Sequence, residues 1–144
     1  MRILHVLSLV VAIVFVVLLA GCGGGGGTPS TPQVGTVELI YTDTQRQATY
    51  TPPTGRLVNF VYAYFDNVAS DQIVSASFRP LPDGKWQLDL SDSSTQFTGS
   101  AIGTFDMTVY VIVSDDTSTP VKVGPVFRLN DLSVIGNGPP PPPW

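Results

Sequence analysis

The sequence predicts an all-β domain over residues 34–134, built as two antiparallel sheets packed face to face. Three observations carry that expectation. β-Branched and aromatic residues dominate the stretch, and in places they alternate with polar ones, the two-residue period of a strand with one buried face. Gly, Pro, Asp and Asn interrupt it about every ten positions, as short strands joined by turns do in a sandwich or barrel. No segment after residue 21 carries the 3.6-residue apolar period of a helix.

The chain opens with a segment of another kind. Arg2 supplies one fixed positive charge, and Val6 to Leu19 is apolar apart from Ser8. A basic start, a short apolar middle and small residues at the end make a secretory signal. The apolar run falls short of the roughly 20 residues that span a bilayer. It closes on Leu19-Ala20-Gly21-Cys22, which resembles the lipobox of bacterial lipoproteins. The resemblance implies removal of residues 1–21 by cleavage between Gly21 and Cys22. It also implies a diacylglyceryl group on the Cys22 sulfur, with further acylation, such as palmitate, on the new amino group. Small residues at 20 and 21 let a protease seat the backbone beside a bulky lipid. Each buried methylene contributes about 0.8 kcal/mol, so two or three chains on one cysteine hold a protein on a membrane where one chain does not. Gly23 stands where some enteric bacteria place a retention aspartate for the inner membrane, so the outer membrane of the cell envelope is favoured.

Residues 22–33 then form a tether, with Gly23 to Gly27 followed by Thr28-Pro29-Ser30-Thr31-Pro32. A Gly-rich coil of about ten residues reaches roughly 16–19 Å. Nothing apolar is present there to offset lost chain entropy.

Strands follow in order. Val34 to Tyr41 is the first, and Thr42-Asp43-Thr44-Gln45 turns into Arg46–Thr51. Pro52-Pro53-Thr54-Gly55 stops pairing, because proline has no backbone donor. Arg56 to Asp66 is apolar on both faces, with Val58, Phe60, Tyr62 and Tyr64 on one and Leu57, Val61, Ala63 and Phe65 on the other. That marks a central strand, or one with a side left for a partner. Asp71–Phe78 comes next, then a Pro80–Gly84 turn in which Asp83-Gly84 supplies positive φ. In Lys85–Ser91 the residues Trp86, Leu88 and Leu90 point to the core. Ser91 to Ser100 reads as a polar loop with a short strand near Gln96–Thr98. Gly103 to Ser114 is the clearest strand, with Phe105, Met107, Val109, Val111 and Val113 alternating with Thr104, Asp106, Thr108, Tyr110 and Ile112. Asp115-Asp116-Thr117-Ser118-Thr119-Pro120 turns the chain into the last strand, Val121–Asn130, which Gly124-Pro125 interrupts.

About seven strands in some hundred residues fits an immunoglobulin-like sandwich. The segment Gly103 to Asp115 resembles the penultimate strand of bacterial Ig-like, fibronectin III-like and PKD-like domains, where a glycine precedes an aromatic and a β-branched alternation ending in aspartate. The chain departs from them in carrying Phe105 where many have tyrosine, and in lacking cysteines for an inter-sheet disulfide. Residues 135–144 form a proline-rich tail, with Pro139 to Pro143 ahead of Trp144. Such a run adopts a stiff polyproline II rod.

Composition excludes more than it includes. Removal of residues 1–21 leaves 123 residues, one domain of ordinary size, with six basic side chains against eleven acidic ones. That balance argues against nucleic acid as a partner, because its binders need a basic footprint. His5 is the single histidine and leaves with the signal, and Cys22 is the single cysteine. Ser-His-Asp and Cys-His nucleophiles and His/Cys zinc sites are therefore excluded from the mature chain. Asp66, Asp71, Asp115 and Asp116 are turn residues without the spacing of a calcium loop. Asp89 with Asp92, and Asp115 with Asp116, are sequence neighbours rather than a catalytic pair. No enzyme, metal or cofactor is expected.

Tyrosines 41, 50, 62, 64 and 110 all fall on strands and offer flat amphipathic rings. Tyr62, Tyr64 and Trp144 are the candidate contacts. The expectation is a membrane-anchored, non-catalytic module that binds a protein or glycan partner. The alternative is a structural envelope subunit that uses its tail as the contact.

Overall fold

A computed structural model describes residues 34–114 and 119–140. Gly21, Cys22, the tether, residues 115–118 of the expected Asp115–Pro120 turn and Trp144 lie outside the described residues. Among the described residues there is no helix, and the strands are β1 (Thr36–Tyr41), β2 (Arg46–Thr51), β3 (Val58–Asn67), β4 (Ile73–Ser77), β5 (Arg79–Pro80), β6 (Trp86–Asp89), β7 (Ser93–Ser94), β8 (Ala101–Val113) and β9 (Val121–Gly136). They form two sheets, ordered β1-β2-β6-β5 and β4-β3-β8-β9-β7. Every ladder is antiparallel except the two-residue pairing of β7 with β9.

Turn chemistry sets the hairpins. Thr42 closes β1–β2, donating its N–H to the Gln45 carbonyl at 2.9 Å while its Oγ1 accepts from Gln45 N–H at 3.0 Å. Pro52 and Pro53 end β2 and send the chain across to the second sheet. Asp83 Oδ1 accepts from Lys85 N–H at 3.1 Å, and Gly84 takes a φ of 84°, so β5 returns as β6.

The core is the set of inward side chains that this register aligns. Ala48, Tyr50, Leu88 and Leu90 come from the four-stranded side, with Val37, Leu39, Tyr41 and Trp86 packed partly against them. Val61, Ala63 and Phe65 on β3, the alternate residues Phe105 to Val113 on β8, and Val123, Leu129, Leu132 and Val134 on β9 face them. Tyr50, one of the five strand tyrosines, is fully buried, and its hydroxyl donates to the Val34 carbonyl at 2.8 Å. Burial of a phenol requires that partner, and this one ties down the start of the domain.

Two regions differ from the expected strands. β9 does not stop at Asn130 but runs to Gly136. Its register slips once opposite Thr108, where Gly124, Pro125 and Val126 bulge out, and again between Leu129 and Leu132. At the second slip Asp131 adopts a φ of 54°. One extra residue there returns Leu132 and Val134 to the inner face, as a β-bulge does.

The expected polar loop 91–100 proves to be the closure of one end of the sandwich. Phe97 is fully buried against Phe65, ring centroids 4.9 Å apart. Its backbone faces Ala76 of β4, while Ser93 and Ser94 pair with Ile135 and Gly136 of β9. The Gln96 side chain completes the closure. Its Oε1 accepts from Asp89 N–H at 2.9 Å, and its Nε2 donates to the carbonyls of Gln87 at 2.8 Å and Ser77 at 3.0 Å. Gln87 and Asp89 belong to one sheet and Ser77 to the other. Residues 136–138 then lie so close to this segment that a Cβ on Gly136 would sit 2.2 Å from the Phe97 Cβ, and one on Gly138 would sit 2.1 Å from the Thr95 carbonyl oxygen.

Replacing Gln96 by Leu leaves these backbone groups without partners and should lower unfolding stability by about 1–3 kcal/mol. Gln96→Glu should cost more at neutral pH, because an anion then meets two carbonyls. That excess should shrink as pH falls toward the carboxylate's ordinary range, near 4.3; a denaturant series at two pH values reads both. At the bulge, Asp131→Val should destabilise by about 1–2 kcal/mol, and Asp131→Gly should be tolerated. Equal midpoints for the two variants would show that the left-handed backbone carries no constraint.

Candidate aromatic surface on the five-stranded sheet

β3 and β8 are paired at the centre of the five-stranded sheet, so alternate residues on each face outward, away from the core. The ladder sets Phe60 opposite Ile112, Tyr62 opposite Tyr110 and Tyr64 opposite Thr108. Three tyrosines and a phenylalanine therefore meet on one outer face. Tyr62 stacks on Tyr110 at 5.4 Å and 15°, and lies against Phe60 at 6.0 Å and 22°. Tyr64 meets Tyr62 edge-on at 5.3 Å and Tyr110 at 5.8 Å and 69°. These are the offset-stacked and T-shaped arrangements that ring quadrupoles favour, each contributing about 0.5–1.5 kcal/mol beyond burial.

The cluster is graded. Tyr62 is only 2% exposed although it stands on an outer face, whereas Phe60, Tyr64 and Tyr110 remain half-buried. Burial pushes the Tyr62 phenol up to about 12 from its usual 10.0, and neighbouring Tyr64 and Tyr110 add to the rise. Serines 75 and 77 flank the rings on β4, opposite Tyr64 and Tyr62, and Lys122 lies beside Tyr110 on β9.

Farther along the same face the character changes. Asp66 stands directly opposite Asp106, a like-charge pairing that destabilises a sheet if nothing offsets it. Arg128, opposite Asp106 on β9, grips that carboxylate with both Nε and a terminal nitrogen, the latter at 2.9 Å. The hydrogen-bonded guanidinium holds the Asp106 carboxyl below its ordinary range. Arg128 thus ion-pairs Asp106, and among the described residues no group of three or more His, Cys, Asp or Glu side chains could hold a metal ion.

The structure thus brings Tyr62 and Tyr64 together and adds Tyr110, one of the five strand tyrosines noted in the sequence. It separates Tyr50 into the core and places Tyr41 on the inner face of the other sheet, under the Arg46 guanidinium at 5.2 Å. A polar groove of about 270 Å³ on the outer four-stranded sheet is lined by side chains already bonded to one another, Arg79 to Gln87 at 3.0 Å and Gln87 to Gln47 at 3.1 Å. Comparison with protein-family models, with curated proteins and with solved structures finds no match to this chain.

Tyr50 and Tyr62 both hold their protons up to about pH 12, against 10.0 for an ordinary phenol. Between those values the unfolded chain has released protons that the native state still binds, so stability should fall as pH rises through the window. Burial raises Tyr41 as well, so tyrosinate absorbance should show Tyr50 and Tyr62 among the late-titrating phenols, and Tyr62→Phe should remove one of these. A single titration near 10 for all five would contradict the burial.

Proposed function

We propose that this chain is a lipid-anchored bacterial envelope protein, and that its Ig-like sandwich binds a protein or glycan partner without catalysis. The observation that carries the binding role is the outward aromatic cluster of Phe60, Tyr62, Tyr64 and Tyr110. Aromatic rings stabilise a fold fully when they point inward. On the outer face of a central strand pair, half-buried Tyr64 and Tyr110 stand beside Phe60 and the buried Tyr62, and these flat, amphipathic rings suit sugar rings or an extended peptide.

Strand order supports the Ig-like reading. In such domains strands A, B, E and D form one sheet, and C, F and G lie in the other. The orders β1-β2-β6-β5 and β4-β3-β8-β9 follow that scheme, with β4 as an added strand beside C and β7 outside it. The anchor rests on Leu19-Ala20-Gly21-Cys22 and on the glycine tether behind it. Lipid at Cys22 would hold the domain at a membrane, with the outer membrane favoured.

Two measurements test the two halves separately. Fatty-acid labelling should appear on the wild-type chain and vanish with Cys22→Ser; persistent label would end the anchoring claim. Binding to arrayed envelope glycans and to envelope proteins should weaken about tenfold, or ~1.4 kcal/mol, in Tyr64→Ala with Tyr110→Ser. Unaltered binding in that folded double variant would move the contact elsewhere.

A further inference from the structure

Residues 136–138 are held at a particular place. Gly138 N–H donates to the Phe97 carbonyl at 2.7 Å, Phe97 faces Ala76, and Ala76 in turn faces Ala63, which lies between Tyr62 and Tyr64. Gly138 is therefore level with the tyrosines and three strand spacings to one side, about 14 Å. Pro139 and Pro140 leave the surface exposed. Six residues from Pro139 to Trp144, extended at about 3.1 Å each, reach ~19 Å, enough to arrive over β3 and β8.

We infer that the segment Pro139–Trp144 docks on its own domain, across the aromatic face made by Phe60, Tyr62, Tyr64 and Tyr110. The chemistries match. Polyproline rods bind grooves lined by aromatic rings, because the rod is preformed and proline rings lie flat on phenols. The terminal indole adds a further stacking partner for rings that are already arranged edge-on and offset. Anchoring at Gly138 makes the contact intramolecular, at the high effective concentration a short tether gives, so a weak intrinsic affinity suffices. The five prolines and the four outer aromatics, separate in sequence, become two halves of one contact. This inference stands apart from lipidation at Cys22 and from the identity of any partner. A partner using the same face would have to displace the tail.

The full chain carrying Trp86→Phe has Trp144 as its single tryptophan. Its emission should be blue-shifted and shielded from iodide several-fold, and Tyr64→Ala with Tyr110→Ser should abolish both effects. Should that double variant be poorly folded, truncation after Gly138 gives a second reading. Backbone amide signals of residues 60–64 and 108–112 should shift on removing the tail. A solvated Trp144 emission, an emission indifferent to the tyrosine changes, or shifts confined to residues 136–138 would overturn the inference. Shifts or shielding that grow with protein concentration would overturn it too, by assigning the tail to a second copy.

Discussion

One side-chain amide joins the two sheets at their closed end. Gln96 sits in the run between β6 and β8, and its single carboxamide accepts one hydrogen bond from β6 and donates two, one to each sheet. Buried backbone groups must find partners, and where two sheets separate, neither ladder supplies them. A glutamine reaches both. Phe97, the next residue, then fills the space between the sheets, and the backbone around it borders β4 on one side and the end of β9 on the other. The dry contact of Phe97 and the satisfied polar contact of Gln96 depend on each other, since water entering at either would undo both.

That closure fixes how the outer surface is presented. With residues 92–98 bonded to both β4 and β9, the five-stranded sheet is held at its margins, and β3 and β8 are central to it. Each carries core residues on one side, Val61, Ala63 and Phe65 against Met107, Val109 and Val111, and aromatics on the other. The outer rings therefore rest on a backbone that inner packing has already made rigid. Such a platform loses little conformational freedom when something settles on it, and preorganisation of this kind favours affinity.

Strands with an unbroken period were legible from residues alone. β2, β6 and β8 lie where alternation places them, and the apolar character of both faces of β3 marked it as central. Legibility failed where the period changed. Asn130 and Asp131 look like a strand ending because the alternation slips by one, and only the left-handed backbone at Asp131 shows that the strand resumes on the correct face. Residues 91–100 look like a loop because their polar side chains satisfy backbone groups far away in sequence. Phe97 was the signal present there, one large apolar residue in a polar run. Tyr62 and Tyr64 were identifiable as a pair by their spacing; Tyr110 could join them only once the register of β3 against β8 was known, and Tyr50 could leave them only once its hydroxyl partner was.

The central place of β8 also dictates an order of assembly. The hairpins β1–β2 and β3–β4 are local and can form from the first 77 residues. β3, however, acquires its second neighbour only when β8 arrives some forty residues later, and Phe97 is sealed only by residues 136–138. Long-range pairings of this sort fold slowly, because loop closure must precede any reward from contact. A growing chain would thus keep its greasiest strand half-covered until Val113 existed and Phe97 unsealed until residues 136–138 did, and completion of the domain would be a late and abrupt event.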